Sequence, residues 1–128
     1  MVTRRTAKTK GNQFEYDVWA SLKQFFPNIK LAKEMGYQQQ FDLINEEPYF
    51  LVECKRHKTI SWNQAKAWFE KVEYELTSSV GEAFLIFKSN QQPVLVMYRD
   101  ETKYCLNTTE FEDYFGVPFI KHKPFNKK

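Results

Sequence analysis

Three charged residues near the middle of the chain stand in a pattern that could hold a divalent cation beside a phosphate ester. Asp42 lies in one short apolar run, and Glu53 and Lys55 end a second apolar run. Hard cations such as Mg²⁺ prefer oxygen ligands and are commonly held by one or two carboxylates together with water and phosphate oxygens. A nearby ammonium group could contact the bound water or stabilise developing negative charge. The pattern therefore indicates metal-assisted phosphodiester hydrolysis.

The two apolar runs predict the strands of a β-hairpin. Residues 41–44 and 49–52 are rich in β-branched and aromatic side chains, and a turn containing a proline separates them. Because side chains alternate along a strand, Glu53 and Lys55 are expected to share one face, and Asp42 can approach Glu53 at one end of the hairpin. The predicted faces of the second strand are Tyr49, Leu51, Glu53 and Lys55 on one side, and Phe50, Val52 and Cys54 on the other.

A charge at the end of such an apolar strand needs a partner. Burying even a neutral polar group without one costs roughly 2 to 7 kcal/mol, so Glu53 must face either a cation on the protein or a metal ion. The Glu-x-Lys spacing alone is not specific, since it recurs at Glu101 and Lys103 in a polar turn that no apolar strand precedes. The alternative for Glu53 and Lys55 is a surface ion pair that contributes little to stability.

A predicted helix supplies a further carboxylate. Apolar residues recur at three- and four-residue spacing from Gly11 until Pro27 ends the pattern. Glu15 stands three residues after Asn12, which is the spacing of a capping box. Spacing alone therefore leaves two roles open for Glu15, as a helix cap or as part of the acidic site.

The other elements predict an α/β fold with a mixed sheet. A strand at residues 82–88 is apolar on both faces, as expected for a central strand covered by helices. The order of elements suits two or three packed layers. The remaining predicted elements are a short strand at 29–32, a helix that begins after Ser61, strands at 94–98 and 103–106, and a short helix at 110–115 capped by Thr108 or Thr109.

Several other side chains are expected in the core. The spacing of Trp62 and Trp68 along the second helix places them in its apolar stripe. Cys54 and Cys105, the two cysteines, lie in apolar surroundings without the spacing of a zinc or disulfide site, so both are expected to be reduced core residues.

Length and composition limit the class of protein. A chain of 128 residues with 42% hydrophobic and 17% aromatic residues indicates one folded domain, residues 1–128. No apolar run is long enough to span a membrane, and the N-terminus lacks the apolar segment of a secretory signal. We therefore expect a cytoplasmic protein without a membrane partner.

Basic residues collect at both ends of the chain. The net charge is +3, but residues 1–11 and 117–128 each carry four basic residues and no acid, so the remainder has a net charge of −5. A flexible basic arm at about residues 1–10 and a basic tail at about 119–128 favour a polyanionic partner. The alternative is that both ends only increase solubility.

Two motifs resemble a known family. Phe41-Asp42 followed by Leu51-Val52-Glu53-Cys54-Lys55 resembles the PD-(D/E)XK nuclease motif, and Lys10-Gly11 with Glu15 resembles the motif that precedes it in archaeal-type and phage Holliday junction resolvases. The order of helix, hairpin, helix and strand over residues 10–88 is also similar. The resemblance implies a restriction-endonuclease-like core, with a central mixed β-sheet flanked by helices.

The same resemblance implies an activity. Such enzymes are Mg²⁺-dependent endodeoxyribonucleases that hydrolyse phosphodiester bonds in four-way DNA junctions, and Mn²⁺ substitutes for Mg²⁺. They act as homodimers, whose two-fold symmetry matches the symmetry of the branched DNA. A phage-encoded member would work in the host cytoplasm, in DNA recombination and repair.

The resemblance also implies roles for individual residues. Asp42 and Glu53 bind the metal with the Cys54 backbone carbonyl, and Glu15 completes the acidic cluster, reaching the metal through water. Lys55 orients or deprotonates the attacking water and stabilises charge. The residues expected to contact DNA, from their basic character beside this site, are Arg4, Arg5, Lys8, Lys10, Arg56 and Lys58.

The chain departs from the family pattern at some positions. Phe41 replaces the proline of the motif, which shapes the turn and carries no ligand atom, and Met35-Gly36 stands where resolvases often have serine and glycine. Gln64 and Trp68 are only distantly similar to the Q-x-x-x-Y element of other branches. The alternatives are another nuclease of the superfamily, of repair or restriction type, and a catalytically silent nucleic-acid-binding module in which the Glu-x-Lys pair is an ordinary ion pair.

Overall fold

In the part of the chain that the computed structural model describes, residues 7–36 and 40–121, six strands form one mixed sheet with helices against both faces. The elements in chain order are α1 (Ala7–Lys23), β1 (Lys30–Leu31), a 3₁₀ turn (Ala32–Met35), β2 (Leu43–Glu46), β3 (Tyr49–Arg56), α2 (Trp62–Tyr74), β4 (Glu82–Lys88), β5 (Leu95–Arg99), β6 (Leu106–Glu110) and α3 (Phe111–Phe115). Strands lie in the sheet in chain order, and every neighbouring pair is antiparallel except β3 and β4. The predicted α/β class with a mixed sheet is confirmed.

The predicted hairpin is formed by β2 and β3. Leu43 lies opposite Val52, and Glu46 lies opposite Tyr49, so only Glu47-Pro48 remains as the turn. The first strand therefore extends through two residues predicted as turn, because they pair with β3. This register brings the start of β2 beside the end of β3.

The parallel pairing of β3 with β4 depends on α2, since parallel neighbours need a crossover connection. The N-terminus of α2 is fixed by a capping box: the Ser61 hydroxyl accepts from the Gln64 N–H at 3.1 Å, and the Gln64 side chain accepts from the Ser61 N–H at 2.9 Å. Gln64 thus has a structural role that explains its presence. The cap places the first turn of α2 just after the loop that follows Lys55.

Apolar side chains fill both faces of the sheet, with the alternation predicted for β3. On one face α1 packs against Phe50 and Val52, and on the other α2 packs against Leu51. The buried apolar residues of these two helices are Phe14, Val18 and Leu22 in α1, and Ala65, Phe69 and Val72 in α2. By its position in β3, Glu53 therefore belongs to the α2 face of the sheet. Helix α1 also approaches this end of β3.

The predicted boundaries of the first helix are wrong. It begins at Ala7, so Asn12 lies inside the helix and cannot form a capping box with Glu15. It ends at Lys23, and Phe25 beyond it is 61% exposed. Apolar spacing marks only the buried stretch of a helix, and the first turn of α1 is polar.

Three further predictions about the core and helix ends are also wrong. Trp62 is half-exposed because it is the first residue of α2, ahead of the part that packs on the sheet. Cys105 is an exposed free cysteine in the turn before β6, whereas Cys54 is a half-buried free cysteine. Thr108 and Thr109 do not cap α3, because they pair with β5 as part of β6.

No helix within the described residues has both the length and the apolar character needed to cross a bilayer.

Candidate active site

Hydrogen bonds of its backbone and side chain hold Asp42 at the open end of the hairpin, where β2 begins and β3 ends (the hairpin mouth). Its N–H donates to the Val52 carbonyl at 2.7 Å, and its carbonyl accepts from the Ala32 N–H at 2.8 Å. Its carboxylate oxygen Oδ2 accepts a hydrogen bond from the Cys54 N–H at 2.8 Å. The carboxylate therefore crosses from the start of β2 to the end of β3, as the hairpin predicted.

Glu53 meets Asp42 and Lys55 at this end of the sheet. The Lys55 Nζ lies 3.3 Å from Glu53 Oε2, and the two side chains are 28% and 17% exposed. Burial, followed by the negative charge of Asp42, raises the pKa of Glu53 to about 8, although Lys55 opposes the shift. Burial also raises the pKa of Asp42, against the hydrogen bond from Cys54. The raised pKa of Glu53 favours its protonated form, which can donate a hydrogen bond to Asp42.

Glu15 is the third carboxylate of the cluster. It follows the buried Phe14 on α1, and its side chain is only 14% exposed. Burial and the charge of Asp42 raise the pKa of Glu15 to about 6, whereas Lys33 opposes the shift from 3.5 Å away. Of the two roles left open by the sequence, the cap is excluded and membership of the acidic cluster is consistent with the geometry.

Lys33 is a site residue that sequence reasoning missed. It lies in the 3₁₀ turn after β1, and the hydrogen bond from the neighbouring Ala32 N–H to the Asp42 carbonyl brings this turn to the hairpin mouth. The sequence signal that could have identified Lys33 was its position on the segment that precedes the Asp42 strand. Its contact with Glu15 required knowledge of how α1 lies on the sheet.

Cys54 takes part in the site through its backbone. Its N–H donates to Asp42, and the role of its carbonyl as a metal ligand stays a prediction. Burial and the negative charges of Asp42, Glu15 and Glu53 raise the pKa of the Cys54 thiol well above its usual range. The side chain is therefore a neutral thiol, which is a poor ligand for a hard cation.

Trp68 supports Lys55 from α2. The Lys55 Nζ lies 5.1 Å from the centre of the Trp68 ring, within range of a cation–π interaction. The His57 ring stacks on the same indole at 5.1 Å with an interplanar angle of 24°. Trp68 was predicted as core, but it is only half-buried and packs between the core and these two polar side chains.

The basic residues after Lys55 border a cleft of about 440 Å³ that Cys54 and Lys55 also line. Its lining includes Arg56, Lys58 and Gly11, so the beginning of α1 faces the loop after β3. Lys8 and Lys10 belong to the same helix. Arg4 and Arg5, together with residues 37–39 and 122–128, lie outside the described residues.

The second Glu-x-Lys match lies in a different setting. Glu101 is exposed in a turn, and Lys103 forms an ion pair with Glu82 at 3.1 Å. Unlike Glu53, this glutamate has no carboxylate neighbour on a paired strand. The two matches differ as their sequence surroundings predicted.

The donor set suits Mg²⁺. Two carboxylates are sufficient, because Mg²⁺ retains several of its waters. Across residues 7–36 and 40–121, no three His, Cys, Asp or Glu side chains stand in a ligating arrangement. Glu15 forms an ion pair with Lys33, and Glu53 forms one with Lys55. Asp42 and Glu53 nevertheless contact each other with raised pKa values, and a bound cation would relieve their repulsion, so the fit rests on this pair.

Comparison of the chain with protein-family models, curated proteins and solved structures finds no match.

Proposed function

We propose that this protein is a Mg²⁺-dependent, structure-selective DNA endonuclease, and specifically a Holliday junction resolvase that acts as a homodimer in the cytoplasm. The observation that supports this most strongly is the meeting of Asp42 and Glu53 beside Lys55. Their side-chain contact and raised pKa values are the properties of a buried carboxylate pair that lacks sufficient positive charge. Such perturbed groups are concentrated at functional sites.

The proposal includes a restriction-endonuclease-like core. Its support is the order of elements: α1 with Glu15, the β1–β3 meander with Asp42 and Glu53, the α2 crossover and the parallel strand β4. This is the order implied by the motif resemblance.

The residues divide the chemical work as follows. Asp42 and Glu53 would hold the cation, and Glu15 would contribute to the site through water. A bound Mg²⁺ lowers the pKa of water and stabilises charge on the phosphate. Lys55, fixed between Glu53 and Trp68, holds the attacking water or the phosphate by its positive charge.

The acidic cluster by itself would repel DNA, so the basic residues beside it are essential to the proposal. Arg56 and Lys58 border the cleft, and Lys8 and Lys10 belong to the adjoining helix. Contacts from these residues to phosphates would offset the repulsion and make binding strongly salt-dependent. Mn²⁺ is expected to replace Mg²⁺.

The test is a comparison of labelled four-way junction, Y-fork and linear duplex, incubated with the protein in Mg²⁺, Mn²⁺ or EDTA. We expect metal-dependent cleavage of the junction in preference to the duplex. Equal cleavage of junction and duplex would indicate another nuclease, of repair or restriction type, instead of a resolvase. Binding without cleavage in either metal would leave only a nucleic-acid-binding module.

A further inference from the structure

Two cations on neighbouring strands face each other beside the candidate active site. Arg56 at the end of β3 lies directly opposite Lys88 at the end of β4. Both continue the alternating positions that face α1, whereas Lys55 faces α2. The strand ends are held together by the His57 N–H, which donates to the Lys88 carbonyl at 3.2 Å. Like charges directly opposite each other in a sheet are destabilising, so the pair requires an explanation.

A third cation is brought to this pair by the C-terminal segment. The buried Ser21 hydroxyl accepts from the Ile120 N–H at 2.8 Å and donates to the Ile120 carbonyl at 3.4 Å. Phe119 packs against Phe14 with ring centres 6.0 Å apart. These contacts anchor the beginning of the segment predicted as a basic tail, and they bring Lys121 close enough to act electrostatically on Lys88 at the end of β4.

The three charges reinforce one another. Partial burial lowers the pKa of Lys88, and repulsion by Arg56 and Lys121 lowers it further. Within the described residues, no carboxylate lies within 4.0 Å of any of these three cations. Arg56 and Lys88 donate instead to the backbone carbonyls of His57 and Ser89. Backbone hydrogen bonds therefore hold Arg56 and Lys88, and the described part of the chain supplies no carboxylate to the cluster.

We propose that Arg56, Lys88 and Lys121 form a phosphate-binding surface for the DNA arm that flanks the scissile bond on the α1 side. This inference rests on the proposed function, and it adds Lys88 and Lys121 to the expected contacts. A row of backbone phosphates supplies repeated negative charge that a single small anion does not. The cluster adjoins the cleft through Arg56, so one DNA strand can contact both.

The test measures DNA binding in EDTA, so that its result does not depend on cleavage. The variant Lys88→Gln/Lys121→Gln is compared with wild type on the same four-way junction over a range of salt concentrations. Each lost phosphate contact lowers the slope of log K against log salt by about 0.9, so we expect a slope shallower by about 2 and binding weaker by about tenfold. The control Lys30→Gln/Lys71→Gln removes the same charge from exposed positions elsewhere and should keep the wild-type slope.

The outcomes separate this inference from the nuclease proposal. A reduced slope in the double variant supports the surface even if wild type does not cleave, in which case only the nuclease proposal fails. The phosphate-binding surface is refuted if the double variant keeps the wild-type slope or if wild type does not bind DNA. In either case, cleavage by wild type would leave the nuclease proposal intact. If the double variant does not fold, Lys121→Gln alone must lower the slope by about 1. Because Lys88→Gln removes one of three like charges, we expect its Tm at low salt to be equal to or above that of wild type.

Discussion

Replacement of Glu53 by glutamine is expected to stabilise the metal-free protein at alkaline pH while abolishing cleavage. Burial and the charge of Asp42 raise the pKa of Glu53 from 4.5 to about 8. The native state therefore binds a proton that the unfolded chain has released, and stability falls as pH rises between these two values. Glutamine keeps the shape of the side chain and removes the charge responsible for the loss.

The expected size follows from the same shift. One pKa unit corresponds to about 1.36 kcal/mol, so the loss for Glu53 reaches about 5 kcal/mol once the pH exceeds about 8. The side chain is 17% exposed, so screening by solvent reduces this value only modestly. We expect the free energies of unfolding of wild type and Glu53→Gln to differ little near pH 4.5, and the variant to be more stable by about 2 to 5 kcal/mol at alkaline pH.

The assay is urea unfolding in EDTA across this pH range. The matched control is Glu101→Gln, which alters the exposed glutamate of the second Glu-x-Lys match and should follow the wild-type curve. A wild-type stability that stays constant or rises between about pH 5 and pH 8 would refute the reasoning, as would a Glu53→Gln curve parallel to wild type.

Three further predictions follow from the site. Binding of Mg²⁺ should release protons, which calorimetry in buffers of different ionisation enthalpy measures. Mg²⁺ should also stabilise wild type more near pH 8 than near pH 5.5, and the variant Asp42→Asn should show neither effect. Trp68→Leu should slow single-turnover cleavage by up to about tenfold by loosening Lys55, whereas Trp68→Phe should retain most of the rate; equal rates in both variants would exclude this support. Lys33→Gln should raise the pKa of Glu15 above about 6 and shift the acidic limb of the pH–rate profile to higher pH, and an unmoved limb would separate Lys33 from the site.

The hairpin and its faces could be predicted from sequence because their signals are local. The alternation along β3 assigned Leu51 and Val52 to opposite faces, and both are buried against different helices. The apolar run before Glu53 also separated it from the polar turn at Glu101. Strand pairing then made the approach of Asp42 to Glu53 a geometric consequence of the short turn.

The helix ends were harder to predict because polar residues there follow several competing rules. Asn12 and Glu15 have capping-box spacing but lie within α1, whereas Ser61 and Gln64 form the box that is present. Thr108 had the character of a cap, yet β-branched residues also favour strands, and pairing with β5 decided its structure.

Contacts between distant elements could not be predicted from spacing. Lys33 meets Glu15 only because the 3₁₀ turn and α1 both reach the hairpin mouth. Trp68 is half-buried in α2, and its helical spacing predicted a core residue but could not show its contact with Lys55. Similarly, Lys121 approaches Lys88 because Ser21 anchors the C-terminal segment.

Single-turnover cleavage of a labelled four-way junction by wild type, Glu53→Gln and Glu101→Gln in Mg²⁺ tests the central claim most directly, with junction binding measured in parallel. We predict cleavage by wild type and Glu101→Gln, and undiminished junction binding without cleavage by Glu53→Gln, since loss of a negative charge reduces repulsion of DNA. Cleavage by Glu53→Gln at the wild-type rate, or no metal-dependent cleavage by wild type, would contradict the assignment of this site.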